Sequence, residues 1–275
     1  MRKTLFLSLT FLTIQLEAQS VSTLLGARAA GMGYASATLN DEWAFFNNIA
    51  GLAKVNESMG GCVLDVHPAL SGGNRMGAMF TMPFSFGTSA VGLFRFGDDL
   101  YSEQMISAGF ANQIGNTSLG AKLSYIQYRA EGFGTHGALG INIGGITQLT
   151  KQISIGAWIQ NINQPKINFG DREKAPVKLL AALSFKPSEK FIVVSEIEKD
   201  VLYRALWKTG MEYAIHEKFF ARAGFNVHPN AMFLGVGFKS WRIKIDYAIQ
   251  SFTQLGASHQ ASASFRFSQS YNPEK

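Results

Sequence analysis

Cysteine is almost missing from this chain: of 275 residues only Cys62 carries a thiol, so neither an internal disulfide nor a cysteine zinc centre can hold the fold. Charge is thin as well, at 16% of residues, against about 25% in an average soluble domain. Long apolar runs are absent. Beyond the first eighteen residues no segment approaches the roughly eighteen consecutive apolar residues of a membrane-crossing helix, and even the start is interrupted by Thr10, Thr13, Gln15 and Glu17. The net charge of +6 comes from basic residues scattered singly, which excludes the patch or run that binds nucleic acid. His67, His136, His216, His228 and His259 are dispersed without metal-ligand spacing, and no GxSxG element marks a hydrolase. The expectation is a non-enzymatic protein with no catalytic group, no cofactor and no metal.

What the chain does have is 28 glycines, 22 phenylalanines and one recurring theme. Residues 1–18 read as a secretory signal, with Arg2 and Lys3 ahead of the apolar Leu5 to Leu16 and a small Ala18. Residues 19–56 are small and Gly-rich, and a short helix near 41–46, capped by Asn40 or Asp41, is expected there. From 57 to 268, stretches of alternating polarity are separated by breaks rich in Gly, Asn, Pro, Ser or Lys, the pattern of a β-meander. The remaining residues, 269–275, form a tail. Fourteen strands are expected, at 57–67, 74–83, 86–97, 103–113, 117–129, 135–149, 153–161, 175–186, 190–200, 205–215, 218–227, 231–239, 241–250 and 258–267.

Alternation alone suits a soluble sandwich equally well. The second face decides between them: opposite Trp241, Ile243, Ile245, Tyr247 and Ile249 the chain carries small or charged residues, as a crowded lumen requires. The predicted fold class is therefore all-β, a transmembrane antiparallel β-barrel of about fourteen strands with a small N-terminal plug segment. With an even strand number, both barrel ends lie in the periplasm, where connections are short, while those on the other side are mostly longer. Phe185, Phe191, Phe219, Phe238, Trp241 and Phe267 fall at the periplasmic strand ends on the apolar face and are expected to form an aromatic girdle. Glu196, Glu198, Glu212, Arg222, Arg242, Lys244, Asp246 and Arg266, with Lys178 and Lys208, share the inward face of the late strands and are expected to pair across the lumen. Arg28, Asp41, Asn47, Asn48 and Gly51 are the expected plug contacts to the inner wall. A lumen so closed should conduct no steady current.

The stretch GARAAGMGYASATLNDEWAFFNNIAGLA at 26–53 resembles the start of the PorV/PorQ family, relatives of the FadL long-chain fatty-acid transporter, in which a Gly-rich run leads to Asn-Pro-Ala-Gly-Leu. Asn48, Ala50, Gly51 and Leu52 match that element, and Ile49 stands in place of its proline. The end of the chain, IDYAIQSFTQLGASHQASASFRF at 245–267, is similar to the last two strands of the same family. The resemblance implies a fourteen-stranded barrel in the outer membrane of a Bacteroidetes-type bacterium. It implies an accessory or scaffold subunit of a protein-export or surface-assembly complex of the type IX secretion kind. The alternative it leaves open is a FadL-like transporter of hydrophobic small molecules. Expected partners are outer-membrane lipid and lipopolysaccharide together with other outer-membrane or periplasmic subunits, and no nucleic acid.

Overall fold

The computed structural model describes residues 21–167, 174–201, 203–252 and 256–267. The expected signal at 1–18 and the tail at 269–275 lie outside the described residues. Fourteen strands follow one another: β1 (Met59–Val66), β2 (Arg75–Phe84), β3 (Gly87–Gly97), β4 (Tyr101–Ile114), β5 (Thr117–Ala130), β6 (Gly134–Gln148), β7 (Ile153–Gln160), β8 (Lys178–Ser188), β9 (Phe191–Asp200), β10 (Leu206–His216), β11 (Phe219–Val227), β12 (Ala231–Lys239), β13 (Ile243–Phe252) and β14 (Gly256–Arg266). Each pairs antiparallel with its neighbours in sequence, and β1 closes on β14 through the register Met59↔Arg266 to Val66↔His259. Closure leaves no free sheet edge, the condition for a sheet to stand in hydrocarbon.

The even number of strands sets both barrel ends at one rim. The turns at that rim are tight, as at Ile114↔Thr117, where Gly115 takes the positive φ of 59° that a two-residue hairpin loop needs. At the opposite rim the β7–β8 connection, 161–177, is the longest, while β11–β12 is closed by residues 228–230 alone.

Alternation assigns the two faces. In β12 Met232, Leu234 and Val236 are 74%, 64% and 58% exposed, whereas Ala231 and Phe233 between them are 5% and 2% exposed. The same outward apolar stripe recurs around the wall, a belt far larger than a water-soluble monomer leaves bare. Inside, residues 23–39 and 41–52 are buried save a half-exposed Arg28. They form a helix α1 (Ala27–Gly31) and two 3-10 helices, Glu42–Phe45 and Ile49–Lys54.

Candidate functional site

The lumen and the segment threaded through it are the candidate site. The segment begins at the loop rim, where Val21 N–H donates to Glu103 of β4 at 3.1 Å and Arg75 of β2 donates to the Ser22 carbonyl at 2.8 Å. It descends along β11–β14, with Ala27 N–H donating to Ser262 Oγ at 3.1 Å, and crosses to β9, where Glu196 accepts from the N–H groups of Ser36 and Ala37 at 2.9 and 2.8 Å. It leaves at the turn rim, where Thr88 Oγ1 donates to the Val55 carbonyl. Asp41 caps the first 3-10 helix by accepting from Ala44 N–H, and Asn48 caps the second by accepting from Ala50 N–H. Ile49 is the first residue of that second helix, the position where proline is well suited. Here its side chain is fully buried and does the anchoring instead.

Two of the five expected plug contacts reach the wall. Arg28 grips Glu212 of β10 with Nε and Nη2 at 2.9 and 2.6 Å and holds Asp41 with Nη1 at 2.9 Å. Asn48 donates to the carbonyls of Gly145 in β6 and Ala157 in β7 at 3.2 and 3.3 Å, and to Ala37 within the segment at 2.7 Å. The other three serve the segment itself. Among the described residues Asp41 bonds Ala44 and Arg28, Asn47 donates to the Leu25 and Trp43 carbonyls, and a side chain at Gly51 would collide with the Leu39 carbonyl. A segment folded back on itself satisfies most of its polar groups internally.

The late strands carry the ion pairs. Lys208 lies between Glu196 and Glu198 at 3.0 and 2.6 Å, with Lys178 on Glu198 at 3.5 Å. Arg222 lies between Glu212 and Asp246 at 2.6 Å each, so Arg28, Glu212, Arg222 and Asp246 form one chain of alternating sign. Lys244 pairs with Glu42 of the plug at 2.7 Å, and Arg266 with Glu57 at 2.6 Å near the turn rim. Arg242 is a correction: β13 begins at Ile243, so the residue lies in the turn, exposed, with its guanidinium 4.0 Å over the Trp241 ring. Of the aromatic set, Phe185, Phe219, Phe238, Trp241 and Phe267 are exposed at the turn rim and Phe191 is half-buried against Tyr213. Phe80, Phe84, Phe86 and Phe110 join the same ring of contacts on the early strands and were not expected.

Other buried groups escaped the sequence because most of their partners are far away in the chain. Asp65 and Arg75 pair face to face in β1 and β2, with Tyr34 and Gln260 bonded to them. Burial alone would raise the Glu42 carboxyl, but the Lys244 ammonium and the Ser264 hydroxyl hold it below the usual glutamate range. Lys122 of β5, fully buried, donates to the Phe45 carbonyl at 2.8 Å among the rings of Phe45, Phe46 and Trp158, and no carboxylate pairs with it among the described residues.

The lumen thus has two sides. Charged residues line β8 to β14, and Asp65, Arg75, Glu103 and Lys122 add buried charges on β1, β2, β4 and β5. On β1 to β6 one apolar cluster runs from Ile167 and Ala175 of the β7–β8 loop past Phe94, Met105 and Ile126 to Trp43, Phe45 and Ile49 of the plug, ending at Val55 and Met59.

A closed antiparallel barrel of fourteen strands with a buried N-terminal segment has the fold of FadL-like outer-membrane channels. Among solved structures the chain is similar to the toluene transporter TbuX of Ralstonia pickettii, with a TM-score of 0.70 and 14% identity over 90% of this chain and 99% of that one. It is similar to the CymD monoaromatic hydrocarbon channel, at 0.68 and 14% over 91% and 99%, and to a Pseudomonas aeruginosa FadL homologue, at 0.66 and 11% over 90% and 100%. No family model matches the sequence, and no curated protein does. By their names the first two of these neighbours are a toluene transporter and a hydrocarbon channel, not enzymes. They overturn the expectation of a scaffold in a type IX-like export complex: the fold is shared with hydrocarbon channels over nine-tenths of the chain. The narrower PorV/PorQ resemblance and the Bacteroidetes-type origin it implied find no support among these neighbours.

Proposed function

We propose that this chain passes small hydrophobic molecules across the bacterial outer membrane, without catalysing a reaction on them. The observation that carries the reading is the closed barrel itself, whose β1 to β6 side packs one continuous apolar cluster against the plug from the loop rim to the turn rim. Shifting the plug there would open apolar wall to an apolar solute, whereas an ion would lose its hydration against it. The neighbouring toluene and monoaromatic channels agree with this reading. In it the turn rim faces the periplasm and the loop rim the cell exterior, supported by tight turns at the first and the long 161–177 connection at the second. The test is uptake of a radiolabelled series, from toluene to a long-chain fatty acid, into a bacterial host lacking its own hydrophobic-compound channels. Expression should raise the initial rate for at least one apolar member and leave a sugar unchanged. Rates equal to the empty host across the series would overturn the proposal.

A further inference from the structure

On the outside of the wall, β1 to β5 enclose a groove of about 640 Å³. Its floor exists because two small outward residues, Cys62 and Ala78, are register partners in β1 and β2. Bulkier Leu93, Ile106 and Tyr125 continue the same row across β3, β4 and β5. A trough of this size and polarity suits acyl chain. Its upper rim has a different chemistry. The next row toward the loop rim carries Arg95, Gln104 and Gln127, register partners on three adjacent strands, and all three point away from the lumen and are exposed. Arg129 points the same way two residues beyond Gln127.

Neither arginine has an ion-pair partner among the described residues, in a protein whose inward arginines and most of its inward lysines are paired. Strand spacing sets Arg95 and Arg129 roughly 12 Å apart, close enough for both guanidinium groups to fold onto one headgroup. A second wall groove of about 660 Å³ over β5 to β10 is built of equally small residues, Gly145, Ala157 and Ala181, yet no lining residue there is charged. Arg95 therefore marks the β1–β5 groove off from the β5–β10 one, whose lining carries no charge. Arg95 lies eight residues from the start of β3, about 20 Å up a tilted strand and so at the upper edge of the apolar band.

We propose that the β1–β5 groove is a binding site for a phosphorylated, acylated lipid of the surrounding leaflet, with one acyl chain over Cys62 and Ala78 and the phosphate held by Arg95 and Arg129. Guanidinium groups suit phosphate because they pair with it in a bidentate, charge-assisted way, and Gln104 and Gln127 add neutral donors to the sugar or ester oxygens beside it. The site rests on the membrane placement of the wall given above, not on the passage of hydrophobic molecules.

The test uses the full barrel in nanodiscs that contain bisphosphorylated lipid A, its dephosphorylated form or phosphatidylethanolamine, with lipid retained after detergent extraction counted by native mass spectrometry. The wild type should retain the bisphosphorylated lipid about ten-fold more than the dephosphorylated one. The double variant Arg95→Gln and Arg129→Gln should lose that preference, and Ala78→Trp should lose the lipid, each variant still migrating as a folded barrel in unheated gels. Lys199→Gln, an outward cation on β9, should behave as wild type. Equal retention of the two lipid A forms by the wild type, a preference that survives the double arginine change, or an equal loss in Lys199→Gln would each overturn the site. Hydrocarbon uptake by the double variant should be unchanged; failure of uptake in the wild type would strike the passage reading and leave this one standing.

Discussion

Arg222 is the residue on which the late-strand network turns, since it alone joins Glu212 to Asp246 with its side chain only 3% exposed. Replacing it by methionine leaves a carboxylate on each side short of its partner, and Arg222→Met should destabilise the barrel by about 3–5 kcal/mol, read as a lower temperature for loss of the compact band in gel-shift melting. Glu42 adds a pH dependence of known sign. Its pKa is depressed in the folded protein, so its share of plug docking is present above the usual glutamate range and is lost as pH falls through the depressed value. Amide exchange around residues 41–46 should therefore speed up in acid before that of the strands, and Glu42→Gln should remove the effect. At this scale the sequence was legible where period-two alternation decides, as for Glu196, Glu212 and Asp246. It misled at Arg242, where the strand had not yet begun and alternation carries no phase. Lys122, Glu42 and the Asp65–Arg75 pair with Tyr34 and Gln260 were invisible as a set, because what defines each is a partner brought by the plug or by a strand distant in sequence.

Strands were the readable elements. The largest error in a strand start, at β8, is from an expected 175 to an observed Lys178, and it arises because Val177 continues the alternation although no neighbouring strand pairs with it. The plug was readable only at its caps. Asp41 announces the first 3-10 helix, whereas α1 follows Gly26 with no side-chain cap and has no signal beyond small residues. Smallness is its design: the wall opposite is small too, and a methyl group on either Gly31 of the helix or Gly235 of β12 would strike the other's Cα. Asn48 is the pin between the two surfaces. Asn48→Ala removes a helix cap and both bonds to the wall, a loss of about 2 kcal/mol, so amides between 36 and 52 should exchange roughly thirty-fold faster while β4 and β5 stay protected. Equal protection in the variant would show that packing alone holds the plug.

The whole molecule is a filled barrel whose two halves divide the work between them, ion pairs tying the late strands to the plug and apolar side chains packing the early ones against it. Purified protein in planar bilayers should show no steady ion current at either polarity, and Gly156→Val, which forces the segment off the wall, should introduce flickering openings; a large stable current in the wild type would contradict a closed lumen. The outward stripe sets a further condition. Folding of the mature chain as a monodisperse species without any amphiphile would contradict a wall wetted by acyl chains. The route of the plug sets Val21 and Phe267 at opposite rims, although β1 and β14 are side by side. Residues 21 and 22 are fastened to Glu103 and Arg75 near the loops, while Phe267 stands at the turn rim. With the loop rim facing outward, as proposed above, a tag inserted beside Val21 should be reachable by antibody on intact cells and one beside Phe267 only after they are broken open.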